Sequence, residues 1–113
     1  MANSFVNKKA DLTSTDQTTL YTVPTATTAI VKSILVRDDS SSGSTITITI
    51  TNTSDAVFSI AYLKTISANT PTAILTNPLV AETGEIVKVA AANANRLHVI
   101  LSAMEVTPRT VTT

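Results

Sequence analysis

Apolar and polar residues alternate along most of this chain. In the stretch GSTITITITNTSD, Ile46, Ile48 and Ile50 fall on one side of an extended backbone, and Thr45, Thr47, Thr49 and Thr51 on the other. A repeat of two residues is the mark of a strand with one face in a core. The same pattern turns Phe58, Ile60 and Tyr62 inward. It does so again for Val87 and Val89, with Lys88 outward, and for Leu97, Val99 and Leu101. The segment Ala29 to Arg37 is apolar on both parities, Ile30, Ile34 and Val36 against Val31 and Leu35. Such a strand is expected to be central, or to have its second side covered by something else. The nearest approach to a helix is AETGEIVKVAAANANR, and its Val-Lys-Val alternation assigns it to a strand.

Strand-like segments run from Thr19 to Val23, Ala29 to Arg37, Ser44 to Asn52, Val57 to Thr65, Thr72 to Thr76, Glu85 to Ala91 and Arg96 to Val106. The intervening PTATT, DDSSSG, NTSDA, SANTP, NPLVAETG and NAN are turn chemistry. Short strands at this spacing predict an all-β fold, a single antiparallel β-sandwich of about seven or eight strands, jelly-roll-like or Ig-like. The first residues are polar and follow neither period. They are expected to form an N-terminal arm over 1–18, ahead of a β-sandwich domain over 19–106 and a C-terminal tail over 107–113.

Composition sharpens this picture. The chain has 113 residues, enough for one core, and only 14% are charged, against a usual share of roughly 25%. Twenty-two Thr and eleven Ser replace charge on much of the polar surface. Formal net charge is zero, which gives no means of neutralising a run of phosphates and argues against a nucleic-acid partner. A low-charge surface is poorly protected against self-association. The start, MANSFVNKKADL, has no apolar run before its lysines, and no segment approaches the roughly 20 apolar residues of a membrane helix. The expectation is a soluble protein made in the cytoplasm, with no membrane partner.

Little in the sequence carries chemistry. There is no cysteine, hence no thiolate nucleophile or thiolate metal site. His98 is the sole histidine, and zinc sites need several ligands. Asp38, Ser40, Ser42 and Gly43 imitate the start of a calcium loop, but its twelfth position, where a bidentate acid belongs, is Thr49. Glu82 and Glu85 flank a turn glycine, and Asn52-Thr53-Ser54 is a formal glycosylation sequon. The expectation is no catalytic residue, no metal, no cofactor and no enzyme. Sugar recognition needs aromatic platforms; of Phe5, Tyr21, Phe58 and Tyr62, the last two are assigned to the core. Function is placed instead on surfaces. Phe5 and Val6 are candidate apolar anchors with Lys8 and Lys9 at their rim, and Thr45, Thr47, Thr49 and Thr51 form a hydroxyl face that can meet a neighbour without burying charge.

The stretch TLYTVPTATTAIVKSILVRDDSSSGSTITITITN resembles small virion proteins of tailed bacteriophages. Their opening "T-x-L-Y-T-V-P-x-x-x-T-A-I-V-K-S-I" is matched here at Thr18, Leu20, Tyr21, Val23, Pro24, Ala29, Val31, Lys32 and Ile34. Asn77 to Val89 is similar to their "P-L-x-L-x-x-G-D-x-[IV]-x-V" segment, with Glu85 where Asp is more usual. The likeness spans about 18–106 and transfers no catalytic residue. It implies a β-sandwich on a virus particle, a capsid decoration or cement protein, or else a small tail or fibre-attachment adaptor. The implied location is the virion, the implied partner the major capsid protein, and the implied state a small homo-oligomer, with a trimer favoured. A carbohydrate-binding module is the alternative from another class.

Overall fold

The structure, a computed structural model, describes residues 2–38, 42–68 and 71–107. Nine strands follow in order: β1 Ala2–Asp11, β2 Thr18–Thr22, β3 Thr28–Asp38, β4 Ser44–Thr51, β5 Val57–Ile66, β6 Pro71–Ala73, β7 Leu79–Ala81, β8 Ile86–Ala91 and β9 Leu97–Thr107. They form two antiparallel sheets. Sheet A has the order β1-β9-β3-β6, with β7 also on β3, and sheet B the order β2-β8-β4-β5. β6 and β7 pair with opposite halves of β3, Leu35 to Arg37 and Ala29 to Val31, as one interrupted strand. The pairing is nested, first strand with last and so inward to the β4–β5 hairpin. A long hairpin folded over on itself in this way is a jelly roll.

The core lies between the sheets. Ile46 and Ile48 of β4, Val87 and Val89 of β8, and Leu97, Val99 and Leu101 of β9 are all inaccessible to solvent, as the alternation predicts. Ile50 is half-buried against them. On β3 the two-sided apolar pattern resolves through a bulge. Val31 pairs with Ala103 and Ser33 with Ser102, so Lys32 is an extra residue and the inward parity changes. Ala29, Val31, Ile34 and Val36 therefore point in, while Ile30 and Leu35 point out.

Three expectations change. Most of the segment expected as an arm is structured. β1 pairs with β9 from Ala2 to Asp11 without a register shift, and Leu12, 2% exposed, belongs to the core. The Leu12 N–H donates to the Leu97 carbonyl, and Leu12 accepts from Asn95 N–H. β1 escapes the alternation test because an edge strand needs little apolar burial: its inward residues are Ser4, Val6, Lys8 and Ala10. Leu79–Ala81, expected as turn, is β7. Phe58 and Tyr62, expected in the core, are 57% and 73% exposed. β5 has a neighbour on one side only and two register shifts against β4, each of which resets the alternation. Of its three expected inward residues, Ile60 alone packs on the core. Of the expected tail, Thr107 ends β9 and 108–113 lie outside the described residues.

Candidate interaction surfaces

The residues singled out for chemistry are occupied with structure. Glu82 and Glu85 close one turn: Glu85 N–H donates to the Glu82 carbonyl at 3.0 Å, and Glu82 N–H to Glu85 Oε1 at 2.7 Å. Gly84 takes φ 82° there, and a Cβ would meet Thr53 Cγ2 at 2.9 Å. Asn52 Oδ1 accepts from Ser54 N–H at 2.9 Å and Ala56 N–H at 3.0 Å, which folds the β4–β5 loop. His98 lies on the outward side of β9, its Nε2 3.3 Å from Asp11 Oδ1, both side chains well exposed. Asp38 is fully buried and its backbone bridges to Ala68. Ser40, the second oxygen of the calcium-like stretch, lies outside the described residues. Among the described residues no three His, Asp or Glu side chains gather as a metal cluster.

One polar contact ties the two sheets. Tyr21 on β2 is 2% exposed, and its hydroxyl donates to Glu105 Oε2 on β9 at 2.5 Å. Burial pushes the Tyr21 phenol far above its ordinary range, and the bond to the Glu105 carboxylate pushes it further. A charge-assisted bond between the layers fixes how one sheet sits on the other.

The threonine face lies on the outer side of sheet B, but its own neighbours cover much of it. Thr49 stands between Lys88 and Ser59 in register, and Thr51 between Ile86 and Val57. Flanking residues share a face with a central strand, and Thr49 and Thr51 are 7% and 6% exposed. Neither of their hydroxyls has a hydrogen-bond partner among the described residues. Thr45 and Thr47 are half-buried, and Thr47 Oγ1 accepts the Leu63 N–H at 3.2 Å. This bond holds the bulged part of β5, where Leu63 takes φ 48°.

The outer side of sheet A is different. Phe5, Met104, Ile30 and Val80 pair in register as one row across β1, β9, β3 and β7. Ile100, Leu35 and Ala73 form a second row across β9, β3 and β6, with Lys9 at its β1 end. Asn7, Ser102 and Ser33 separate the two. Phe5 is 78% exposed and Val80 58%, while Met104, Ile30 and Ile100 are half-buried. Of the four residues expected at an arm interface, Phe5 and Lys9 share this face. Val6 turns inward and packs on the core, and Lys8 lies on the inward side of the same edge. The rest of the face was missed because its members lie far apart in sequence. Its one signal was the surplus apolar parity of β3, Ile30 and Leu35. Among the described residues the other exposed large hydrophobics, Val57, Phe58, Tyr62 and Leu63, all lie on β5.

No family model and no curated protein matches the chain. Among solved structures it is similar to a chain of the "Cyanophage Pam1 capsid asymmetric unit", at a TM-score of 0.45 and 18% identity, over 94% of this chain and 86% of that one.

Proposed function

We propose that this chain is a non-enzymatic structural protein of a bacteriophage virion, one that decorates or cements the capsid shell. The observation that carries the reading is the outer face of sheet A, where two apolar rows cross the sheet and remain open. Exposed apolar rows of this kind, rimmed by polar residues, mark protein–protein contact. The resemblance of 18–106 to small phage virion proteins supplies the particle. Sheet A then lies against a neighbouring virion protein, and Lys9, Asp11, His98 and Arg37 form its polar end.

The test is co-sedimentation of the full chain with particles that lack it, followed by electron microscopy of the product. Wild type is expected on the shell, and the double variant Leu35→Ser/Val80→Ser is expected to fold but to incorporate poorly. Density at the tail would favour the adaptor reading, and equal incorporation of both chains would remove sheet A as the docking face. A second reading draws on β5, where Phe58 and Tyr62 are open to solvent and not spent on the core. Exposed aromatic rings can stack on sugars, so a glycan array that shows binding abolished by Tyr62→Ala would favour a carbohydrate-binding module.

A further inference from the structure

The two sheets expose four edges, and the chain treats them unequally. β6 and β7 are three residues each. β2 has five residues and a register shift between Thr19 and Tyr21. β5 is interrupted twice and carries a leucine in the left-handed region. Short length and bulges are how proteins blunt strand edges against pairing with other chains. β1 has neither device: it is ten residues long, lacks proline and follows β9 without a shift. What guards it is charge confined to its second half, Lys8 on the inward side and Lys9 on the outward.

We infer that β1 pairs antiparallel with β1 of a second copy, centred on Val6, so that two copies of sheet A join into one continuous sheet. The charges of the strand select this arrangement. Lys8, Lys9 and Asp11 lie in its second half, and Asn3 to Asn7 carry none. A parallel, in-register pair would set Lys8 on Lys8 and Lys9 on Lys9, which is unfavourable. An antiparallel pair sets the charged half against the neutral half. Inward residues must face inward residues, so a two-fold pair centres on a residue and not between two. A centre at Lys8 opposes the two Lys8 side chains, and a centre at Asn7 places Val6 and Phe5 against lysines. A centre at Phe5 shortens the paired length and sets Val6 against Ser4. With Val6 at the centre, Val6 meets Val6, Ser4 meets Lys8, Asn3 meets Lys9 and Phe5 meets Asn7.

No like charges are then opposed, and the half-buried Val6 gains an apolar partner. The two Phe5 rings become diagonal neighbours on the outward face, within reach of each other. The lysines thus act as register selectors on an open edge. This symmetry gives a dimer in place of the trimer favoured from the resemblance, and it holds whether or not the chain docks on a capsid.

The absence of cysteine makes the test clean. Val6→Cys in the full chain should cross-link to a covalent dimer under mild oxidation, much faster than Thr53→Cys at the exposed β4–β5 turn. Sedimentation equilibrium of the wild type should show a monomer–dimer equilibrium in the micromolar range. Ser4→Lys, which opposes Lys8 of the copy at two symmetric positions, should weaken the dimer by about tenfold. Ser4→Lys/Lys8→Ser should restore it, since each lysine again faces a serine. A wild type that stays monomeric, cross-linking no faster than the control, or a dimer indifferent to Ser4→Lys each overturns the pairing.

Discussion

On sheet B the outward side of the central strand β4 carries Thr45, Thr47, Thr49 and Thr51; on sheet A the outward sides of β3 and β9 carry Ile30, Leu35, Ile100 and Met104. Composition alone would leave the first open to water and cover the second. The structure does the reverse for the residues that matter. Thr49 and Thr51 are nearly inaccessible between β5 and β8, and the apolar row from Phe5 to Val80 is open at both ends. What decides is the neighbour in register. A threonine is short, so Lys88 overtops Thr49, and Ile86 and Val57 overtop Thr51, while Ile30 and Met104 stand beside residues of their own size in the outward row. The polar face is thus closed within the monomer, and the apolar face is the one available to a partner.

The largest effect should come from crossing the core. Ile48→Asp places a lone carboxylate where solvent is absent, with a loss on the order of 4 kcal/mol or more, a large part of the stability of a small domain. Leu35→Asp, one strand earlier in the chain but on the outer side of sheet A, should keep the cooperative melt. Thermal unfolding of both variants checks the facing of β4 and β3 together. Equal losses would mean that the outer face of sheet A is not open.

The comparison of two outer faces presupposes that the sheets are locked together, and Tyr21 tests this. Tyr21→Phe removes a bond to a charged group and should cost about 1.5 to 3 kcal/mol. The phenol titrates higher in the folded chain than in the unfolded one, so its neutral form stabilises the fold. That contribution is complete below the ordinary tyrosine value, about pH 10, and is lost as the pH rises beyond it. Wild type should therefore show an alkaline fall in melting temperature that Tyr21→Phe lacks. Parallel alkaline curves would remove the Tyr21–Glu105 tie as a stabilising contact.

Within the threonine face, neighbours two residues apart should respond with opposite sign. Thr49→Val removes a buried hydroxyl that has no partner and should raise stability by about 1 kcal/mol. Thr47→Val removes the acceptor for Leu63 N–H and should lower it by about the same amount. Denaturant midpoints with unchanged slopes would measure both. Loss in both would mean that the Thr49 hydroxyl is satisfied after all.

The layered core was legible because Ile46 to Ile50, Val87 to Val89 and Leu97 to Leu101 alternate without interruption, and a strict period of two leaves one assignment of faces. Legibility failed where the period was reset or unnecessary. Bulges at Lys32 and along β5 insert single residues, and no composition rule marks them. Tyr62 was drawn into the core by a parity that the bulges cancel, whereas Phe58 stands opposite the inward Ile50 and is exposed because β5 is the edge of its sheet. β1 was hidden for another reason: an edge strand that contributes Val6, Ala10 and Leu12 to one side needs no alternation to be held by backbone bonds. The candidate face on sheet A was the least legible of all, since its rows run across strands and join Phe5 to Met104 and Ile30 to Val80. Only topology brings such residues together, and topology here is nested, so the first strand meets the last.

The smallest effect on stability should come from the open face itself, where the consequence is shifted to association. Leu35 and Val80 are 37% and 58% exposed, so their replacement by serine removes little buried area from the fold. Surface changes of this kind usually stay within about 0.5 kcal/mol per site. Neither residue lies on β1, so the β1 edge remains intact and self-pairing should be unaffected. If sheet A meets a partner, however, the same two side chains lie in the contact, and their truncation leaves a gap in each apolar row. A stable contact needs on the order of 800 Å² per partner, which a single sheet face of four strands must supply nearly whole. Leu35→Ser/Val80→Ser should therefore melt with the wild type and fail to co-sediment with particles that the wild type saturates. Lys replacing Thr45 at the edge of the other face should leave both measurements where they were. If the Thr45 variant lost binding and the sheet A variant kept it, the roles of the two faces would be exchanged.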